Sequence, residues 1–366
     1  MLIATSPGAD HSLVEDRPEN VTASSKEMRF DFRLAAYSIK KTNDYCYMIQ
    51  RAEARSDKEC DAEVGEVPDM SVEEHKPNFS FEFFPPRSAE ARGKLELTCD
   101  KLSALKPNFF SVTFGAGGST RELTLETVTA ITQATGIDAA PHLSCIGFPL
   151  ENIRAVLKDY EAKGIQRVVA LRGDLPSGTT GVGELRYANE LVEFIRQETE
   201  SAFHIEVAAY PEFHPQSSSA ADDLQNFKRK VGAGADSAIT QYFYNPDAYF
   251  RFVDSAQSLD IDIPIVPGIM PIINYTQLMR FSEMCGAEIP RWIVRRLRDF
   301  GDDRVSIRAF GIDVTTDLCR RLLEQGVPGL HFYSMNQYEA SETIWRNLGI
   351  DEPDSEIRHG KSGRNQ

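Results

Sequence analysis

From Asn78 onward the chain repeats one unit, a short apolar and β-branched run followed by a helix-length amphipathic stretch. The runs are 78–83 (NFSFEF), 108–114, 138–145, 165–171, 204–210, 236–243, 263–269 and 328–334. Helical patterns fall near 88–105, 119–135, 150–163, 184–200, 218–233 and 246–257. A longer one, 274–325, has room for several helices, and a last lies near 337–348. Strands separated by helices of this length run parallel, because the chain returns through the helix before it re-enters the sheet. Eight such units predict an α/β fold closed into a single (β/α)₈ TIM barrel. The competitor is an open doubly wound sheet, whose dinucleotide form wants G-x-G-x-x-G after the first strand. Here Gly115-Ala116-Gly117-Gly118-Ser119-Thr120 lacks the last glycine and follows the second strand. It has no P-loop Gly-Lys-Ser/Thr either, and reads as a loop over a ligand or a turn before a helix.

The flanks differ. Residues 1–77 show no sustained periodicity, and 52–76 is strongly acidic. This predicts a poorly ordered extension, or a true start further along, with Met70 the alternative. The polar tail 351–366 is expected to fray, which leaves 78–350 as the barrel. With 40 basic and 55 acidic residues the formal charge is −15, so the surface repels nucleic acid and anionic membranes, and neither is an expected partner. Six widely spaced cysteines without a CxxC pair suit reduced thiols better than a disulfide scaffold. Seven histidines show no HxxxH or HExxH spacing, and no metal is expected. The N-terminus lacks a basic n-region and a long apolar stretch, so the expected location is cytoplasmic.

A TIM barrel carries its site at the C-terminal ends of its strands. The polar residues there are Glu82, Thr113, His142, Arg172-Gly173-Asp174, Tyr210 with His214 beyond it, Gln241, and His331 with Tyr333. Glu82 stands in Phe81-Glu82-Phe83-Phe84-Pro85-Pro86-Arg87, a carboxyl among aromatics. Desolvation there favours the neutral acid and suits it to proton donation; the alternative is a structural ion pair, with Arg87 the nearest cation in sequence. Asp174 follows a strand and a glycine, and is either a ligand contact or a loop cap. His142 and His214 are ligand contacts or satisfied hydrogen-bonding groups. Lys228-Arg229-Lys230 is a solvated helix face from which one lysine could meet a phosphate.

Taken together these segments resemble one family. Phe81–Arg87, Ser111-Val112-Thr113-Phe114-Gly115-Ala116, Ala140-Pro141-His142-Leu143 and Ala170-Leu171-Arg172-Gly173-Asp174-Leu175-Pro176 are similar to successive strand ends of the methylenetetrahydrofolate reductases. So are Ala208-Ala209-Tyr210-Pro211-Glu212, Ile239-Thr240-Gln241, Pro267-Gly268-Ile269-Met270-Pro271 and His331-Phe332-Tyr333, in the family's order over about 78–350. The resemblance implies reduction of 5,10-methylenetetrahydrofolate to 5-methyltetrahydrofolate through bound FAD, with NADH or NADPH as electron donor. It implies Glu82 as general acid and Asp174 as the charge beside flavin and folate. Cofactor contacts would be Thr113, His142, Leu171, Arg172, Gly173, Asp174, Tyr187, Ala188, Tyr210, His214, Asp223 and Lys230. Substrate contacts would be Glu82, Asp174, Gln241, Phe281 and Tyr333.

The expected partners are a reduced folate and further copies of the chain as a homo-oligomer. One departure is Gln337, where the family commonly has an arginine, which bears on the folate glutamate. The chain also ends soon after the barrel, so the adenosylmethionine-responsive domain of eukaryotic relatives is expected to be absent. Two other readings stay open: a flavin- or folate-binding barrel without turnover, and another flavin barrel enzyme such as a proline dehydrogenase-like oxidase.

Overall fold

The computed structural model describes residues 77–114, 119–174 and 183–350. The expectations for residues 1–76, for the Gly115–Gly118 loop, for 175–182 and for the tail 351–366 lie outside the described residues. Along the chain the strands are β1 (Asn78–Phe83), β2 (Phe109–Val112), β3 (Ala139–Ser144), β4 (Arg167–Leu171), β5 (His204–Ala209), β6 (Ser237–Thr240), β7 (Ile265–Val266), β8 (Gly268–Ile269) and β9 (Gly329–Tyr333). The helices are α1 (Ala89–Ser103), α2 (Ser119–Thr135), α3 (Leu150–Ala162), α4 (Ala188–Thr199), α5 (Ala220–Gly232), α6 (Pro246–Gln257), α7 (Tyr275–Cys285), α8 (Arg291–Asp299), α9 (Arg304–Glu324) and α10 (Glu339–Asn347). The long pattern 274–325 resolves into α7, α8 and α9. The stops are Gly286, left-handed at φ 74°, and Asp303, whose carboxylate accepts the first amides of α9. No helix among the described residues is long and apolar enough to cross a membrane.

All strand pairs are parallel, in the order β7-β6-β5-β4-β3-β2-β1-β9-β8. The single strand expected over 263–269 is two short ones, because Pro267 has no N–H to give the ladder. Its first half pairs with β6 and its second with β9, and this shared strand closes the ring into a TIM barrel. The closing seam is tight. A Cβ on Gly268 would stand 2.1 Å from the Thr240 carbonyl oxygen and 2.7 Å from the Tyr333 ring, so only glycine fits there.

Register then decides which side chains face inward. Period-2 alternation turns Phe79, Phe81 and Phe83 of β1 toward the helices, where Phe81 stacks on Phe332 at 5.3 Å and Phe79 meets the edge of Trp345 at 4.8 Å. Ser80 and Glu82 therefore point into the barrel. Their partners Ser111 on β2 and His331 and Tyr333 on β9 share that parity, as do His142 on β3 and Glu206 on β5. A barrel interior is normally filled with branched apolar residues. Here a buried column of Ser, Glu and His occupies it.

Candidate active site

Every residue expected against the cofactor, from Thr113 to Lys230, lines one cleft of about 200 Å³. Four strand ends build it. Thr113 and His142 come from the ends of β2 and β3, and Leu171–Asp174 continue β4. Tyr210 and His214 follow β5 and meet edge to face at 4.7 Å, a turn that Phe213 makes with φ 71°. Asp223 and Lys230 reach in from α5, and Tyr187 and Ala188 from the start of α4. Glu190 fixes that start by accepting the amides of Arg186 at 2.6 Å and Tyr187 at 3.1 Å.

The crowding at Gly173 differs from the expectation. At φ 79° its missing side chain points at Ser144, 2.8 Å from where a Cβ would be. Glycine there lets the end of β4 pass closely over the end of β3, while the same residue still lines the cleft.

Charge within the cleft is graded. Burial pushes the Lys230 ammonium down to about 8, against the pull of Asp223. Its Nζ donates to the Ala208 carbonyl, at the end of β5. Burial raises the Asp223 carboxyl, although it accepts the His214 amide at 3.1 Å. The His214 imidazole is lowered by burial and by Arg172 and Lys230 nearby. Arg172 donates to Gln216 at 2.5 Å and stands 4.0 Å from the Asp174 carboxylate, which is 52% exposed.

Beneath the cleft lies Glu82, 2% exposed, with Oε2 at 3.5 Å from His142 Nε2 and 3.9 Å from His331 Nε2. Burial holds both imidazoles neutral, pushing His142 well below its ordinary range and His331 down to about 3. His331 Nδ1 shares a 2.7 Å hydrogen bond with Ser80 Oγ. Neither ring's Nε2 has a hydrogen-bond partner among the described residues, nor has Ser111 Oγ next to Glu82 in the register, nor Ser217 Oγ on the cleft wall. Arg87 is exposed, and no ion pair joins it to Glu82 among the described residues.

The residues expected against the substrate are less clustered. Gln241 is buried beside Tyr210 and Phe213 in a small pocket adjoining the cleft. Phe281 is packed in the hydrophobic core on α7 and does not line the cleft. Tyr333 is buried, and its hydroxyl donates to the Thr240 carbonyl at 2.6 Å. Gln337 is exposed beyond β9. Sequence reasoning placed His331 at the rim without giving it a role, and it did not assign Ser80 and Ser111 to the site. The signal was available, since each lies two residues from, or opposite, a residue that was assigned, and strand alternation puts them on one face.

Against known proteins, residues 69–349 match the profile of the family described as Methylenetetrahydrofolate reductase. The chain is 43% identical over 273 residues to the 5,10-methylenetetrahydrofolate reductase of Escherichia coli (strain K12), covering 75% of this chain and 91% of that one. It is 39% identical over 287 residues to a "Probable methylenetetrahydrofolate reductase (NADH)" of Oryza sativa subsp. japonica, covering 75% of this chain and 48% of that longer one. Among solved structures, an uncharacterized protein from Clostridium thermocellum, described as binding two copies of 5-methyl-5,6,7,8-tetrahydrofolic acid, superposes with a TM-score of 0.54 at 16% identity. The match covers 75% of this chain and 96% of that one, and it speaks for the fold. With the family profile spanning most of the barrel and a relative of this identity matched over nearly its whole length, the chain belongs to the methylenetetrahydrofolate reductase family.

Proposed function

We propose that this enzyme binds FAD in the cleft and passes electrons from NADH or NADPH to 5,10-methylenetetrahydrofolate in ping-pong order, yielding 5-methyltetrahydrofolate. One juxtaposition carries the reading: a buried carboxyl, Glu82, stands one imidazole away from a cleft whose other wall carries Arg172 and Lys230. The cleft suits a flavin nucleotide on its own chemistry. His142 Nε2 and Ser217 Oγ are buried polar atoms with no hydrogen-bond partner among the described residues, and Lys230, Arg172 and His214 supply positive or donating groups for a pyrophosphate. Thr113, His142 and Leu171–Asp174 would hold the cofactor near the Glu82 end, with Tyr187, Ala188, Tyr210 and Asp223 along the rest. Bound there, FAD would supply the hydride chemistry, accepting it from the nicotinamide and giving it up to the folate.

The chain's own work is proton transfer and charge. Glu82 is buried beneath the cleft in this conformation, and once its carboxyl reaches the folate it donates a proton to an imidazolidine nitrogen, so that the ring opens to a cationic iminium. The Asp174 carboxylate stabilises that cation as it forms. Gln241 holds the pterin from the adjoining pocket. Phe281 and Tyr333 are buried in this conformation, so each meets the substrate only if its ring swings out of the core. Family membership sets aside a proline dehydrogenase-like oxidase. A binder without turnover has no use for a carboxyl at the depth of Glu82. Anaerobic stopped-flow spectroscopy tests the reading: the flavin bleaches with NADH or NADPH and recovers with methylenetetrahydrofolate. A flavin indifferent to the folate, or no flavin after reconstitution, sinks it.

Two outcomes follow from the electrostatics. Lys230 loses its proton as pH rises past about 8 in the free protein, while an anionic ligand binds the protonated form. FAD affinity therefore falls above that pH, by up to roughly tenfold per unit. Fluorescence titrations at neutral pH and in alkali check this, and a flat profile removes Lys230 from the phosphates. Asp174→Asn shifts the flavin potential and slows folate reduction. The loss stays below the roughly 10²-fold of a buried donor, because the Asp174 side chain is 52% exposed and solvent screens it. A potential unchanged on redox titration counts against its proximity to the flavin.

A further inference from the structure

Where the Glu82 carboxyl stands depends on its backbone, and that backbone is held from outside β1. Ser334, just past β9, donates twice to the Glu82 carbonyl, from Oγ at 2.6 Å and from its amide at 3.3 Å. Two residues later Asn336 reads Phe84 in both directions. Its Oδ1 accepts the Phe84 amide at 2.8 Å, and its Nδ2 donates to the Phe84 carbonyl at 2.9 Å. The side-chain amide thus imitates another rung of the β1–β9 ladder, whose last backbone pair is Glu82 and Tyr333. Phe84 has the last amide hydrogen before Pro85 and Pro86, which can give the ladder none. Without the clamp, Glu82 would sit one residue from a frayed strand end.

The loop that carries the clamp is costly to form. Met335 and Asn336 are both left-handed, at φ 56° and 54°. Asparagine tolerates that region, but methionine has a Cβ that opposes it. Further bonds hold the turn: the Asn336 amide donates to Ser334 Oγ at 3.2 Å, and Thr98 Oγ1 donates to the Asn336 carbonyl at 3.2 Å. Backbone kept in such regions by many contacts is characteristic of sites where geometry matters to function.

We propose that Asn336, together with Ser334, is a positioning residue that fixes the depth and direction of the Glu82 carboxyl. The inference rests on the proton-donor reading of Glu82. A plain loop staple would act differently, lowering stability and slowing both half-reactions alike. A positioning device slows only the half-reaction that needs the proton.

The test is stopped-flow on the full FAD-loaded chain carrying Asn336→Gly, Asn336→Asp or Ser334→Ala, with thermal melting alongside. Asn336→Gly accepts the left-handed turn freely and loses both bonds to Phe84, so it separates hydrogen bonding from backbone strain. Its folate-dependent reoxidation is expected to fall roughly 10²-fold, the loss expected when a catalytic group is misplaced by about 1 Å. Reduction by the nicotinamide should be unchanged, and the pH profile of the folate half-reaction should shift. Asn336→Asp keeps the acceptor for the Phe84 amide but turns an oxygen toward the Phe84 carbonyl, so it should fall between Asn336→Gly and wild type. If both half-reactions drop together, or neither does in any of the three variants, the positioning role is overturned. A wild-type protein that accepts electrons but is not reoxidised by the folate overturns the proton-donor reading and this inference with it.

Discussion

Glu82→Gln is expected to fold, bind FAD and accept electrons from the nicotinamide as the wild type does, while reducing the folate about 10²–10⁴-fold more slowly, the range a positioned proton donor contributes. The substitution keeps the volume and hydrogen-bonding capacity of a side chain that is 2% exposed, so the core around it need not collapse. It removes the exchangeable acid proton. The neighbouring groups do not replace it, because burial keeps the imidazoles of His142 and His331 from carrying a proton at neutral pH. A loss confined to the folate half-reaction separates Glu82 from residues that merely hold the cofactor, whose loss would slow both halves. Single-turnover measurement of each half-reaction decides it, and wild-type folate turnover in the variant would remove Glu82 from the acid role.

The barrel was legible because its signal is periodic. Each run of alternating or continuous apolar residues, followed by a helix-length stretch, gave a β/α unit, and eight of them left few topologies to weigh. The break at Pro267 was legible in principle, since a proline in a central strand cannot donate to a neighbour. The run 263–269 nevertheless reads as one strand because it is otherwise uniformly apolar. The cleft was legible through the family's motifs, which lie at successive strand ends, and a closed barrel brings strand ends together at one rim.

What escaped is non-local. Ser80 meets His331 across 251 residues, and Asn336 meets Phe84 across 252. Such pairs follow from register, which the closure of the ring sets and no local spacing reveals. Phe281 and Tyr333 escaped differently: a motif gives a residue's identity, while its depth depends on packing that the motif does not encode.

Arg167→Met is expected to destabilise the barrel by about 3–5 kcal/mol, the cost of leaving one member of a buried ion pair without its partner. At the end of the barrel opposite the cleft, Glu206 is 1% exposed, and Arg167 forms an ion pair with its Oε1. Ser237 Oγ donates to Oε2 at 2.6 Å, and His204 Nε2 stands 3.4 Å from Oε1. The Arg167 guanidinium also lies over the Phe109 ring at 4.5 Å, so methionine keeps some of the packing and loses the charge. Burial opposes ionisation of Glu206, yet His204, Arg167 and Ser237 together hold its carboxyl below the ordinary 4.5.

The sign of the linkage follows. In the wild type a depressed folded value gives stability that is present above the unfolded value and lost as pH falls through the folded one. Without Arg167, desolvation meets a weaker counter-charge, since His204 is partly exposed, and the folded value moves up past the unfolded one. The variant should then gain stability as pH falls from neutral toward the ordinary carboxylate value, the reverse of this group's contribution in the wild type. Denaturant melts of both proteins across that range test this. Parallel curves would mean that Glu206 is satisfied without Arg167 and that the pair contributes packing alone.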